Sequence, residues 1–263
     1  MATREKLREL YRYREILLML VLRDLQARSK QAYFGYFWVL VQPLLLTGVF
    51  TFLVRTVLGR TDLSEVPYPV FLLAALIPWQ FFATSLNESA ESLVKNVDLV
   101  RQVYFPRELL AVYPILARLV DVAIAAAALG VMMLVFRVPV SGWVLLTPVL
   151  LGIEMLFLVA FGLLLAAANV AWRDVARALP LMLALLIYAV PVLYTADRVP
   201  ESFRGVYLLN PMAHIVENFR AAVLGTHPPD LGAIGVLAVV GVIAVVLSQR
   251  VFSAFDAVLA DVI

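Results

Sequence analysis

The chain has 263 residues, of which 63% are hydrophobic and 15% charged, and its mean hydropathy is +0.93. Because soluble domains are roughly 45–50% apolar, this composition excludes an ordinary soluble fold and predicts an integral membrane protein. A net charge of +2 argues against nucleic-acid binding, and the absence of cysteine excludes disulfides, thiolate metal sites and cysteine nucleophiles.

Residues 1–32 form the first predicted unit, a cytoplasmic helix lying in the membrane interface. Apolar side chains recur at helical spacing among arginines and glutamates, at Leu7, Leu10, Tyr11, Leu17, Leu18, Val21 and Leu25. This pattern is typical of an interfacial amphipathic helix, with a solvated basic segment as the alternative. No short apolar stretch with a small-residue cleavage site follows, so we expect no removable signal peptide.

Residues 33–263 form the second predicted unit, an all-α domain of six transmembrane helices. Each predicted span is long and apolar enough to cross a hydrocarbon core of about 30 Å, which needs roughly 17–25 helical residues. The fifth span gives the weakest signal because it is short and bounded by Pro180 and Pro191. The predicted spans are 33–55, 68–87, 110–136, 143–168, 179–195 and 231–249.

The distribution of positive charge predicts the orientation. Of the 21 Lys and Arg residues, 15 fall on the face that carries both termini and the connections after spans two and four. Short loops rich in these residues stay cytoplasmic. We therefore expect both termini in the cytoplasm and the loop 196–230 outside, with short helices dipping into the outer leaflet.

Three ionisable residues fall inside predicted spans, where such groups usually face a bundle interior or a water-filled path. Arg118 and Asp121 are three residues apart and share a helix face, so we expect them to pair. An ion pair that only orients helices and a functional pair both remain open. Glu154 has no local partner, and our hypothesis is that it faces Arg118 or a pore.

Aromatic residues cluster at the start of the first span, at Tyr33, Phe34, Tyr36, Phe37 and Trp38, and again at Trp79, Phe81 and Phe82. Two interpretations remain open: belts at the membrane interface, or rings that line a passage and stack on sugars. The connection 96–108 and the segment 172–175 mix apolar and charged residues, which is typical of a docking surface or of helix ends.

Motifs of catalysis are missing from the sequence. It contains no phosphate-binding glycine loop, no HExxH and no Gly-x-Ser-x-Gly, and its two histidines fall in the predicted external loop. We therefore predict a transport protein, not an enzyme, with no metal site and no cofactor. Any ATP-driven activity requires a separate subunit.

In order along the chain, several short motifs resemble the membrane permeases of bacterial ABC exporters for lipid-linked polysaccharides (O-antigen, capsule and teichoic acid). The motifs are Leu22-Arg23-Asp24-Leu25 with Lys30, Gly35-x-x-Trp38-x-x-x-x-Pro43, Phe105-Pro106-Arg107-Glu108, Trp172-Arg173-Asp174-Val175, Leu209-Asn210-Pro211-Met212, Phe219-Arg220 and Leu224-Gly225. The resemblance covers nearly the whole chain. Glu154 is not part of the family pattern.

The resemblance implies a homodimeric permease of the bacterial inner membrane, bound to two cytoplasmic ATPase subunits that hold ATP and Mg. The implied cargo is an undecaprenyl-pyrophosphate-linked polysaccharide, with O-antigen first. The implied ATPase contacts are Leu22, Arg23, Asp24, Arg28, Val100, Phe105, Arg107, Glu108, Arg173 and Asp174. The channel or entrance aromatics are Tyr33, Phe34, Phe37, Trp38 and Trp79, and the external gate residues are Phe203, Asn210, Pro211, Phe219 and Arg220.

Other classes of membrane protein remain as alternatives. Teichoic-acid or capsule export fits the same family, and a small-molecule or lipid ABC exporter is more remote. A secondary transporter relaying protons through Asp121 and Glu154 fits poorly, because the chain shows no two similar halves. A membrane-embedded transferase would show carboxylates or histidines clustered at one interface, which the sequence lacks.

Overall fold

The computed structural model describes residues 12–30, 37–59, 66–102 and 105–262 of the chain. The regular structure of these residues is helical, and five helices are long and apolar enough to cross a membrane. The prediction of an all-α membrane protein is confirmed. The predicted fifth span is the one that no single long helix covers.

The first helix, α1 (Arg14–Lys30), packs along the bundle but is apolar on both sides. Leu20 is buried at 4% exposure in a cluster with Leu93 and Phe252, whereas Met19 and Leu22 are 61% and 55% exposed. The expected single apolar stripe is therefore too simple. A helix placed between a bundle and either lipid or a partner protein gains from apolar side chains on both faces.

Helix α2 (Phe37–Phe52) continues through a π-helical turn, Leu53–Val57, to make the first candidate span. Only 17% of the most apolar 18-residue stretch of this span is buried, so most of its surface is left to lipid or to another chain. Helix α3 (Tyr68–Lys95) is the opposite case, with 78% buried. Small residues such as Ala75 and Ser89 let neighbouring helices approach α3 closely, which makes it the central helix.

A short helix, α4 (Val97–Gln102), connects α3 to α5 (Glu108–Val135), which packs against α3. A 3₁₀ turn, Gly142–Leu146, leads into α6 (Thr147–Ala171). Helix α6 also packs on α3. Gly162 allows this close approach, because a Cβ at this position would lie 3.1 Å from the Cβ of Ser89, a tight contact.

Helix α7 (Asp174–Leu186) has 13 residues and ends in a 3₁₀ turn, Ile187–Ala189. At 1.5 Å per residue it is about 20 Å long, less than the roughly 30 Å of a hydrocarbon core. Val190 and Val192 are fully buried, so the chain turns back into the protein where span five was expected to continue.

The predicted external loop contains a 3₁₀ turn, Ala196–Arg198, and two short helices, α8 (Glu201–Leu208) and α9 (Pro211–Leu224). The Asn210 side chain caps α9 by accepting from Met212 N at 3.0 Å, and Gly225 ends it with φ +68°. Helix α10 (Leu231–Val262) then runs along α6.

Candidate functional site

Five charged side chains from three helices meet on one side of the bundle, and we refer to them as the charge cluster: Asp24 and Arg28 of α1, Glu88 of α3, and Arg118 and Asp121 of α5. The Glu88 carboxylate accepts from Arg28 Nη2 at 2.7 Å and from Arg118 Nε at 2.8 Å. Arg28 Nη2 lies 2.5 Å from Asp24 Oδ2, and Arg118 Nη1 donates to Asp121 Oδ2 at 2.5 Å. Arg28 Nη1 also reaches Asp121 Oδ2, at 3.5 Å.

The charge cluster is half-buried, with side chains 16–30% exposed. Ion pairs in such surroundings are screened less than surface pairs, so they fix helix positions more firmly. The expected pair of Arg118 with Asp121 forms. The bridging role of Glu88 was not predicted, because its partners lie 60 and 30 residues away in the sequence and only the packing of α1, α3 and α5 brings them together.

A cavity of about 70 Å³ adjoins the charge cluster between α2, α3 and α5. Its polar lining consists of Gln42, Gln80, Thr84, Arg118 and Asp121, and its remaining walls are apolar. One buried water needs roughly 10–15 Å³ of such volume, so this cavity has room for several. Arg118 and Asp121 therefore border a space that water can occupy.

Glu154 lies about two turns from the start of α6 with 0% exposure, so its side chain does not face lipid. Neither carboxyl oxygen has a hydrogen-bond partner among the described residues. The expected contact with Arg118 is not formed, because the Arg118 guanidinium is engaged by Glu88 and Asp121. A carboxylate without a partner in this environment would be costly, which favours a neutral side chain in this arrangement.

The residues predicted to contact an ATPase divide into an accessible and a buried group. Arg23 is exposed, and its Nη2 donates to Asn96 Oδ1 at 2.5 Å, which ties α1 to the end of α3. Phe105 and Glu108 pack inside the chain and are only 5% and 8% exposed, so they offer little surface to a partner in this arrangement. The exposed members are Leu22, Arg23, Arg173 and Asp174, and the half-buried ones are Asp24, Arg28, Val100 and Arg107.

The predicted aromatic residues also divide. Tyr33 and Phe34 lie outside the described residues. Phe37 and Trp38 are 54% and 59% exposed at the start of α2, with ring centroids 6.4 Å apart. Trp79 is 4% exposed and packs against Phe82, so within one chain it belongs to the core.

Arg220, a predicted gate residue, is 2% exposed and holds the segment after α7 in place. Its Nη1 donates to Pro191 O at 2.8 Å and to Tyr194 O at 3.4 Å, and its Nη2 donates to Glu217 at 2.6 Å. The guanidinium also lies 4.0 Å from the centre of the Phe71 ring. Burial lowers the pKa of Arg220, and the nearby Glu217 carboxylate raises it. The guanidinium stays charged, as arginine does in proteins generally.

The other predicted gate residues differ in exposure. Phe203 on α8 is 65% exposed, and Phe219 on α9 is 4% exposed. Asn210 and Pro211 form the start of α9. On α8, burial raises the pKa of Tyr207, and the nearby Glu217 carboxylate raises it further. The loop therefore combines a largely buried helix, α9, with a largely exposed helix, α8.

A comparison with known protein families identifies this architecture. The model of the ABC-2 type transporter family matches residues 15–224, which includes the charge cluster and the Arg220 contacts. The chain belongs to the ABC-2 type transporter family. It is therefore a multi-pass membrane subunit of a transporter, and the resemblance seen in the short motifs is confirmed.

The curated relatives of this ABC-2 transporter subunit are polysaccharide exporters. It is 32% identical over 251 residues to the O-antigen export system permease protein RfbA of Myxococcus xanthus, covering 93% of this chain and 94% of the relative. It is 27% identical to RfbA of Klebsiella pneumoniae, covering 91% of each chain. The polysialic acid transport protein KpsM of Escherichia coli is 27% identical, covering 78% of this chain and 80% of KpsM.

Proposed function

We propose that this chain is the channel-forming subunit of an ATP-driven exporter that moves an undecaprenyl-pyrophosphate-linked polysaccharide, most simply O-antigen, from the cytoplasm across the inner membrane. The observation that carries the proposal is the end-to-end similarity to an O-antigen export permease, over 93% of this chain. Capsule polysaccharide is the second candidate cargo, because the similarity to KpsM covers 78% of the chain.

In the proposed exporter, two copies of the chain bind two cytoplasmic ATPase subunits, which carry ATP and Mg. The exposed residues Leu22, Arg23, Arg173 and Asp174 are the proposed contacts with these subunits. Their exposure supports this role, as does the position of Arg173 and Asp174 at the connection between α6 and α7. The exposed apolar surface of α2 supports contact with lipid or with the second copy. Phe37 and Trp38 would stand at the cytoplasmic entrance, and α8 and α9 would form the external gate.

We further propose that α7 and the turn after it cross the membrane as a short span, fifth in chain order, which brings the total to six. An even number of spans places both termini on the same side, which we propose is the cytoplasm. The exposed face of α7 is apolar at Leu181, Met182 and Leu185, each 64–66% exposed, as expected of a helix in lipid. The positive-charge distribution also favours this orientation.

Because the chain has no cysteine, single introduced cysteines can test this span directly. Arg177 lies in the first turn of α7, Asp197 lies in the 3₁₀ turn Ala196–Arg198 beyond it, and both are exposed. The two variants are Arg177→Cys and Asp197→Cys. In intact cells, a membrane-impermeant maleimide should label Asp197→Cys but not Arg177→Cys. Labelling of both, or of neither, would show that α7 does not cross.

The export function is tested in cells that lack the gene and in purified complexes. The chain should restore polysaccharide at the cell surface, and a tagged copy should purify with an ATPase of the same operon. ATP hydrolysis in lipid vesicles should respond to lipid-linked polysaccharide. A chain that purifies alone and transports without ATP would instead support a secondary transporter.

A further inference from the structure

We propose that Glu88 is the positioning residue that couples movement of α1 to the membrane helices during ATP-driven export. This inference rests on the proposed function, in which α1 lies beside the ATPase. Its structural basis is the place of Glu88 in the charge cluster, where one carboxylate binds Arg28 of α1 and Arg118 of α5.

The remaining bonds of the charge cluster show why Glu88 carries the link. Each arginine has a second carboxylate on its own helix: Arg28 pairs with Asp24 at i,i+4, and Arg118 pairs with Asp121 at i,i+3. The direct ion pair between α1 and α5, from Arg28 to Asp121, is longer than the bonds made by Glu88, at 3.5 Å. Removing the charge of Glu88 therefore weakens the connections between helices but leaves each arginine with a partner, so the fold should survive.

The position of Glu88 on α3 makes this link mechanically effective. A second bond, from Arg23 to Asn96, also joins α1 to α3, eight residues or about 12 Å farther along the helix. Two bonds at different points along α3 fix the orientation of α1 relative to α3 as well as the distance between the two helices. Because α3 is the most buried of the candidate spans, a displacement of α1 would be passed to the centre of the bundle.

The adjoining cavity allows the charge cluster to rearrange. Arg118 and Asp121 line this space together with Gln80 and Thr84, so a shifted guanidinium or carboxylate would meet water and polar groups instead of lipid. Ion pairs that can exchange partners in this way are suited to a contact between helices that switches between two conformations.

The test compares Glu88→Gln with the wild type in the complex with its ATPase. Surface polysaccharide is measured in cells lacking the gene, and ATP hydrolysis is measured with the purified complex in lipid vesicles. We expect Glu88→Gln to assemble and to hydrolyse ATP within about twofold of wild type, while surface polysaccharide falls about tenfold. Glu88→Asp should recover part of the export. Glu91→Gln is the matched control, because Glu91 lies on the same helix and pairs with Lys95 at i,i+4.

A double-mutant cycle separates coupling from simple loss of stability. If Glu88 acts through Arg28, then the Arg28→Gln, Glu88→Gln double variant should export no less than the poorer single variant. Parallel loss of assembly, hydrolysis and export in Glu88→Gln would overturn the proposal, as would wild-type export or fully multiplicative defects. Failure of the wild-type chain to restore surface polysaccharide would instead count against the proposed function.

Discussion

Replacement of Arg220 by alanine should destabilise the external part of the protein severely. The guanidinium is 2% exposed and binds two backbone carbonyls and the Glu217 carboxylate, so its removal leaves one buried and two partly buried acceptors without this donor. Breaking a buried ion pair by removing one partner costs about 3–5 kcal/mol, and the lost contact with the Phe71 ring acts in the same direction. These terms overlap, so we expect a total of about 3–5 kcal/mol.

The free energy of unfolding can be measured by denaturant titration in mixed micelles, followed by the fluorescence of the 4 tryptophans. Arg220→Lys keeps the charge but lacks the planar guanidinium that donates to several acceptors at once, so the free energy of unfolding should fall by about 1–3 kcal/mol. Arg204→Ala is the matched control in the same loop, because Arg204 is exposed. It should change stability by less than about 0.5 kcal/mol. If Arg220→Ala and Arg204→Ala unfold at the same denaturant concentration, the assignment of Arg220 as the residue that holds the segment after α7 is wrong.

Two further predictions concern α6. Gly162→Leu should lower the free energy of unfolding by about 1–3 kcal/mol in the same titration, because a Cβ at Gly162 already lies 3.1 Å from Ser89. Gly152→Ala should leave stability unchanged or slightly raised, because a Cβ at Gly152 has nothing within 4 Å. Equal effects of the two substitutions would refute the close packing of α3 and α6. Glu154→Gln should fold and export within about twofold of wild type, since a neutral amide replaces a carboxyl that has no hydrogen-bond partner among the described residues. A folded Glu154→Gln protein that no longer exports would show that ionisation of Glu154 is needed.

Membrane residence and most helix positions followed from the sequence, because hydropathy over about 20 residues reports directly on the lipid environment. The family followed from short motifs such as Phe105-Pro106-Arg107-Glu108, whose order along the chain is specific. The pairing of Arg118 with Asp121 also followed, since residues three apart share a helix face.

Only the tertiary structure decided which residues are accessible and which distant charges meet. Phe105 was predicted as an ATPase contact, Trp79 as a channel or entrance aromatic and Arg220 as an external gate residue. Packing within this chain buries all three side chains. Arg220 holds the segment after α7 through Pro191 and Tyr194, which lie 29 and 26 residues before it in the sequence. Hydropathy is a local quantity, whereas burial and the partners of a charge depend on how the helices pack, so the bridging position of Glu88 could be read only from the folded chain.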